Sequence, residues 1–412
     1  MTPGSRGDDD GDRKVDSGSA LQSFFDHIPI TAIPGIRASV PVLEVKFDDC
    51  VAHAIRLLYE NNVSGAAITD PAYSASKKSM DRDIGFIEFS SMVLWSLEEI
   101  DKARAASKEG NHGFFDTLEK YYQIGQTKII ELTKSFLWEP FFPAHEDDTL
   151  FHVLLLFTKH HKLNVIPVIE SSNSSIVGFI TQHAVIQLLL QSSGLEWFDE
   201  IAEKSLSEYR LMNAAGVVSV FSDQSLADAL HVLWDMQLDG VPVVDRRSGT
   251  LLGCVRRSDI YLLLEDDSLF IHGKKLVIKV QDSCTTFAVE EFIKVRDAAS
   301  DQSRNRYTET EAPPAGLLRM KNARFLRLSN PAVLRKSDSL KKTMEIMAAS
   351  MRESGFLVGD AGRLEGMVTL RDVILPFSPP SMDARVDGGG FFTSVLNQVG
   401  CHVNDGVMIR NR

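Results

Sequence analysis

SLADALHVLWDMQLDGVPVVDRRSGTLLGCVRRSDIYLLL, the stretch Ser225–Leu264, contains the signals of a complete folding unit. Apolar residues first recur at helical spacing and then form two short apolar runs around a polar turn that contains a glycine. Runs of this kind are typical of buried strands. The predicted elements are a helix over Ser225–Gln237, strands over Val241–Val244 and Leu251–Val255, and a helix over Ile260–Leu264 with Ser258-Asp259 at its N-cap.

The same order of elements occurs four times along the chain. Each copy has a helix, an apolar strand, a polar turn and a second strand with a glycine; the four glycines are Gly85, Gly178, Gly253 and Gly366. Their separations are unequal, whereas a solenoid needs a fixed short period. We therefore expect an α/β protein in which four repeats fold as two pairs.

The end of each second strand carries a phrase that is most complete in Gly366–Asp372: Gly, two hydrophobic residues, Thr, two further residues and Asp. The phrase resembles CBS (cystathionine β-synthase-like) repeats, which pair into Bateman modules. Four such repeats resemble the gamma regulatory subunit of AMP-activated and plant sucrose-non-fermenting-related protein kinases, and the long first turn resembles the divergent plant gamma-like branch. The resemblance covers about Ile28–Phe377 and implies four CBS repeats (helix-strand-strand-helix) paired into two Bateman modules.

Composition and the repeats together predict the division of the chain. A disordered acidic tail is expected at 1–20, which lacks the apolar core of a signal peptide. The first Bateman module is expected at 21–194, with repeats at about 40–106 and 141–194, followed by a linker at 195–216. The second module is expected at 217–377, with repeats at about 217–267 and 330–377 around an insert at 268–329, and a C-terminal tail at 378–412.

The overall charge and hydropathy exclude some classes of function. The 412 residues carry a net charge of −12, which argues against nucleic-acid binding because that needs a basic face. We expect no membrane association, since no apolar run approaches the length of a membrane span. The four scattered cysteines lack metal or redox spacing, so we interpret them as free thiols of a cytoplasmic and/or nuclear protein.

We expect no enzymatic activity, because the sequence lacks a phosphate-binding loop, a nucleophile elbow and a kinase signature. His145 and His152 have no partners at metal-ligand spacing. Acidic residues precede the first helix of every copy, which favours helix capping over a catalytic carboxylate pair. They are Asp48-Asp49, Asp147-Asp148, Asp223 and Asp338.

Thr369 and Asp372 are candidates for ligand contacts, because they lie where the second strand of the fourth copy meets a helix. A carboxylate here could accept both hydroxyls of a ribose, and the free N–H groups of a helix start favour phosphate. Thr-x-x-Asp is also the pattern of a capping box, in which the side chains only complete the helix start. The spacing alone favours the capping box over a ligand site. With the family resemblance added, the two interpretations are equally favoured.

The other copies keep the pattern incompletely. The third has Asp259 but Arg256 in place of the hydroxyl, the second has Thr181 without the acid, and the first lacks both. An adenine-nucleotide site is therefore expected in the second module, on Asp372 and Asp259. The candidate ligand-binding residues are Thr369, Arg371, Asp372, Asp259, Arg256, Thr181 and His183; no catalytic or metal-binding residue is expected.

The gamma subunits that the chain resembles hold phosphate with His or Arg just ahead of the first strand. The corresponding residues here are Ser64, Asn164-Val165, Asp239-Gly240 and Ser354-Gly355, none of them basic. Phosphate without a cation loses charge-assisted hydrogen bonds, so we expect weak binding and a preference for fewer phosphates. Arg256, Arg257, Arg371 and His183 are expected near the pocket mouths and could supply charge, although an exposed arginine is more often solvated.

The resemblance implies a non-catalytic regulatory gamma-type subunit of a sucrose-non-fermenting-related or AMP-activated-type serine/threonine protein kinase. The implied partners are a kinase catalytic (alpha-type) subunit and a beta-type scaffold subunit. AMP, ADP or ATP is implied as a regulatory ligand, with no required cofactor. The alternative is a free-standing CBS-domain sensor of an adenosine ligand that regulates another enzyme or a transporter.

Overall fold

The computed structural model describes residues 24–33, 36, 42–69, 83–104, 113–133, 138–139, 142–160, 163–170, 176–209, 217–265, 288–304, 331–350, 352–378, 401–404 and 407–410. The predicted acidic tail at 1–20 lies outside the described residues, as do most of the insert at 268–329 and most of the tail at 378–412. Within the described ranges, four helix–strand–strand–helix copies follow one another, as the sequence predicts.

The first half of the chain contains two copies and the elements that connect them. The first copy consists of β1 (Glu44–Lys46), α1 (Val51–Asn61), β2 (Gly65–Thr69), β3 (Asp83–Glu88) and α2 (Phe89–Arg104). The connectors are α3 (Phe114–Lys120), α4 (Tyr122–Gly125), α5 (Ile129–Thr133) and β4 (Trp138–Glu139). The second copy consists of β5 (Ala144–His145), α6 (Leu150–Lys159), β6 (Val165–Ile169), β7 (Ile176–Thr181) and α7 (Gln182–Leu190).

The second half repeats this arrangement after α8 (Glu196–Ala202). The third copy consists of β8 (Val220–Phe221), α9 (Leu226–Asp235), β9 (Gly240–Val244), β10 (Leu251–Arg256) and α10 (Ile260–Glu265). A long helix, α11 (Val289–Arg304), precedes the fourth copy. That copy consists of β11 (Ala332–Leu334), α12 (Leu340–Ser350), β12 (Ser354–Val358), β13 (Leu364–Thr369) and α13 (Leu370–Ile374), and the strands β14 (Cys401–Asn404) and β15 (Val407–Arg410) follow.

Each copy forms its own small sheet. A short edge strand runs parallel to the first hairpin strand, and the two hairpin strands run antiparallel. The first sheet gains β4 as a fourth strand. The sequence predicts the hairpin strands from their apolar runs, but the two- or three-residue edge strands are too short to leave a periodic signal.

Two large hydrophobic clusters each join a copy from the first half to a copy from the second. One contains buried residues of α1 and α2 together with α9, α10 and the start of α11, which unites the first and third copies. The other contains buried residues of α6 and α7 together with α12 and α13, which unites the second and fourth copies. Burial of these apolar faces is the main favourable contribution to stability.

Strand side chains and hairpin turns provide contacts within each half. Between the first and second copies, Phe86 packs edge-on against Phe179 with ring centroids 5.6 Å apart. Between the third and fourth copies, the Leu364 N–H donates to the Gly249 carbonyl at 3.1 Å, and the Arg363 Nε donates to the Ser248 carbonyl at 2.9 Å. The division into two modules stays our prediction, because the large clusters cross between the halves.

A close backbone approach explains the glycine in β7. A Cβ on Gly178 would lie 1.7 Å from the carbonyl oxygen of Ile36. Ile36 and the preceding segment, residues 24–33, pack against the second copy, where the Leu150 N–H donates to the Ile28 carbonyl at 2.8 Å. A side chain at position 178 would therefore push this N-terminal segment away from the sheet.

The acidic residues ahead of the first helices do not cap those helices, so this sequence prediction is wrong. Asp49, Asp148 and Asp338 each accept a hydrogen bond from the backbone N–H three residues earlier, at 3.0, 2.6 and 2.7 Å. In the third copy, the Gln224 amide oxygen accepts the matching bond, while Asp223 pairs with Arg246. These side chains hold the turn between the edge strand and the helix.

Candidate functional site

Thr369 and Asp372 form the capping box that their spacing predicts. The Thr369 backbone N–H and its hydroxyl both donate to Asp372 Oδ2 at 2.8 Å, and the Asp372 N–H donates to Thr369 Oγ1 at 3.3 Å. Among the described residues, the other carboxylate oxygen, Oδ1, accepts no hydrogen bond. The cap therefore occupies one oxygen of Asp372 and leaves the second for a further donor.

Arg371 points toward the second copy. Its Nη2 donates to the Thr158 carbonyl at the end of α6, at 2.8 Å, while its Nε is buried and has no hydrogen-bond partner among the residues that the structure describes. Arg371 is therefore half-buried at a contact between copies, which differs from the solvated arginine that the sequence favours.

Thr181 and His183 lie at the start of α7, which packs against α13. Thr181 Oγ1 accepts the Ala184 N–H at 3.2 Å and so caps the helix, and the His183 side chain is buried. The structure thus brings five of the predicted site residues to one contact between the second and fourth copies. They are Thr181, His183, Thr369, Arg371 and Asp372.

Asp259 lies in a different environment, because its carboxylate is buried against arginines. Its Oδ2 accepts the Arg256 backbone N–H at 3.0 Å and Arg296 Nη1 at 2.9 Å, while Oδ1 lies 3.3 Å from Arg256 Nη2. Burial raises the pKa of Asp259, but the guanidiniums of Arg256 and Arg296 outweigh it and hold the pKa below its usual range. Both carboxylate oxygens are therefore already engaged by the chain.

The N-cap predicted at Ser258-Asp259 is also wrong. Residues Arg257–Asp259 form a 3₁₀ turn whose N-cap is Arg256, and α10 begins only at Ile260. Since the Arg256 N–H donates to Asp259, this carboxylate closes the turn while it holds two guanidiniums.

Arg296 is the site residue that the sequence analysis missed. It belongs to α11, and its Nη1 also donates to the Cys254 carbonyl at 2.5 Å. Its position continues the apolar stripe of that helix, formed by Val289, Phe292 and Ile293 at helical spacing. An arginine in register with an apolar stripe is the signal that could have found it, because such a side chain is directed into the interior.

Arg352 is a third arginine that interacts electrostatically with Asp259. It lies two residues ahead of β12, close to the position where the resembling subunits carry a basic residue. Only 3% of its surface is exposed. Burial, followed by repulsion from Arg256, lowers the pKa of Arg352 to about 10.

Asp239, ahead of β9, is a carboxylate whose pKa is shifted in the opposite direction. Burial raises its pKa to about 7; Arg257 opposes this rise, and Glu88 and Glu353 add to it. Arg257 is not a solvated arginine either, since its Nη1 donates to the Ser91 hydroxyl at 2.9 Å. Asp239 and Arg257 belong to the third copy, Glu88 ends β3 of the first, and Glu353 immediately precedes β12 of the fourth.

Within the ranges that the structure describes, no three His, Cys, Asp or Glu side chains are placed to hold a metal ion. Nor is any helix of those ranges long and apolar enough to cross a membrane.

Comparisons with known proteins agree with this fold. A model of the CBS domain family matches residues 134–191, 207–266 and 326–376, which cover the second, third and fourth copies. The SNF1-related protein kinase regulatory subunit gamma-1 of Arabidopsis thaliana is 25% identical over 379 residues, which cover 86% of this chain and 82% of that protein. The gamma-1-like subunit of the same organism is 23% identical over 429 residues, covering 88% of each.

Among solved structures, protein MJ1225 from Methanocaldococcus jannaschii aligns with a TM-score of 0.52 at 16% identity, over 85% of this chain and 100% of that one. At that identity the likeness concerns the fold alone. The chain therefore has an α/β fold with three segments that match the CBS domain family, and it resembles the gamma regulatory subunits of SNF1-related protein kinases.

Proposed function

We propose that this chain is a non-catalytic regulatory gamma-type subunit of a sucrose-non-fermenting-related or AMP-activated-type serine/threonine kinase complex. Its partners would be the catalytic alpha-type subunit and the beta-type scaffold subunit, in the cytoplasm, the nucleus or both. The observation that carries the proposal is the match to a gamma-1 regulatory subunit over 86% of this chain and 82% of the relative. A shared domain alone would match a much shorter segment.

Co-purification tests this proposal. The full chain is expressed with catalytic and scaffold subunits from one plant, and it should elute with both in size-exclusion chromatography. A matched two-repeat CBS protein from the same plant serves as the negative control. A chain that elutes alone while binding an adenosine ligand tightly would support the alternative, a free-standing sensor, and would contradict kinase-complex membership.

The absence of catalysis has its own assay. The purified chain with ATP and a peptide substrate should show no phosphate transfer or hydrolysis above buffer. Activity that persists through repurification and disappears with a point substitution in this chain would contradict the non-catalytic assignment.

We further propose that AMP, ADP or ATP binds weakly beside Thr369 and Asp372. The support is the free Asp372 Oδ1 next to a capped helix start, where a ribose hydroxyl could donate. At Asp259, the other predicted ribose carboxylate, a nucleoside would have to displace Arg296 or Arg256.

Calorimetric titration of the three nucleotides tests the assignment. A charge-assisted hydrogen bond contributes about 1.5–3 kcal/mol, so Asp372→Ala should weaken binding about ten-fold to a hundred-fold. The exposed Asp360 provides the matched control, Asp360→Ala, which should bind like wild type. Equal affinity in Asp372→Ala and wild type would place the nucleotide elsewhere.

A further inference from the structure

We draw no further inference here: the strongest candidate, the cavity at the start of α1 that Cys50, His53, Arg56 and Phe115 line, rests on a helix N-terminus and a lone cysteine, and nothing among the residues that the structure describes shows what it would bind.

Discussion

Arg371 of the fourth copy donates through Nη2 to the backbone carbonyl of Thr158 in the second copy, at 2.8 Å across 213 residues of sequence. The bond joins the start of α13 to the end of α6, and the adjacent residues Leu370 and Phe157 belong to the cluster that unites the second and fourth copies. Arg371, which the sequence predicts to contact a ligand, therefore also connects the two halves of the chain through a hydrogen bond.

Arg371→Ala should lower the free energy of unfolding by about 1.5 kcal/mol, because hydrogen bonds from charged donors contribute about 1.5–3 kcal/mol and this one is only partly buried. Urea denaturation measures the change. Arg247→Ala, in an exposed turn, provides the control and should stay within about 0.5 kcal/mol of wild type. Equal stability of the two variants would show that the Thr158 contact is dispensable.

Gly178→Ala should destabilise the chain, because the new Cβ would overlap the Ile36 carbonyl, 1.7 Å away. Overpacking of this kind typically costs about 1–3 kcal/mol, and here the N-terminal segment has to move. Gly240→Ala is the matched strand-glycine control, since its Cβ would meet nothing closer than 3.4 Å. We expect limited proteolysis to cut near residue 36 faster in Gly178→Ala only; unchanged cleavage would contradict the model of a displaced segment.

Asp259→Asn should cost roughly 3–5 kcal/mol, because it leaves Arg256 and Arg296 buried without their shared carboxylate. Asp297→Asn removes a more exposed partner of the same arginine and should cost less than about 1 kcal/mol. Adding Arg296→Met to Asp259→Asn should restore part of the loss. Strict additivity of the two substitutions in urea denaturation would argue against the ion pair.

Asp239 should make stability decrease as pH rises toward neutrality. Its pKa is raised from 3.8 to about 7 in the folded chain, so the folded state favours the protonated carboxyl. The stabilisation is full below the unfolded pKa and is lost as pH rises through about 7. Between pH 5.5 and 8, the free energy of unfolding of wild type should fall with pH more steeply than that of Asp239→Asn.

The exposed Asp360 provides the control for this pH dependence, because Asp360→Asn should keep the wild-type slope. Histidine titration contributes equally to all three proteins and cancels in the comparison. Parallel slopes for wild type and Asp239→Asn would show that the carboxyl ionises in the folded state much as it does in water.

The sequence was sufficient to predict the repeated unit because each element carries its own local signal. The apolar run Val241–Val244 lies within β9 (Gly240–Val244), and the helix predicted over Ser225–Gln237 is α9 (Leu226–Asp235). The insert also contains α11 (Val289–Arg304), whose apolar residues Val289, Phe292 and Ile293 recur at helical spacing. Hydrophobic periodicity and turn residues are signals that span only a few residues. The helices, strands and turns of the repeat can therefore be predicted from a single sequence.

The site could be predicted only in part, because burial of charge depends on distant residues. The Thr369–Asp372 capping box follows from local spacing and was predicted as one of two interpretations. The engagement of Asp259 depends on Arg296, which lies 37 residues further along the chain in a segment with no repeat signal. Sequence spacing gives no information on such a contact. The sequence therefore predicted that Asp259 could accept ribose hydroxyls as readily as Asp372.

The two crossed hydrophobic clusters also set the order in which the chain can become ordered during synthesis. The apolar faces of α1 and α6 leave the ribosome long before α9 and α12, which share their clusters. Until then, both nascent repeats present uncovered apolar surface, and such long-range contacts form slowly and expose the chain to aggregation. A truncated chain that ends after the second copy would therefore lack the helices that cover its apolar faces. It would depend on chaperones for solubility and would not fold independently.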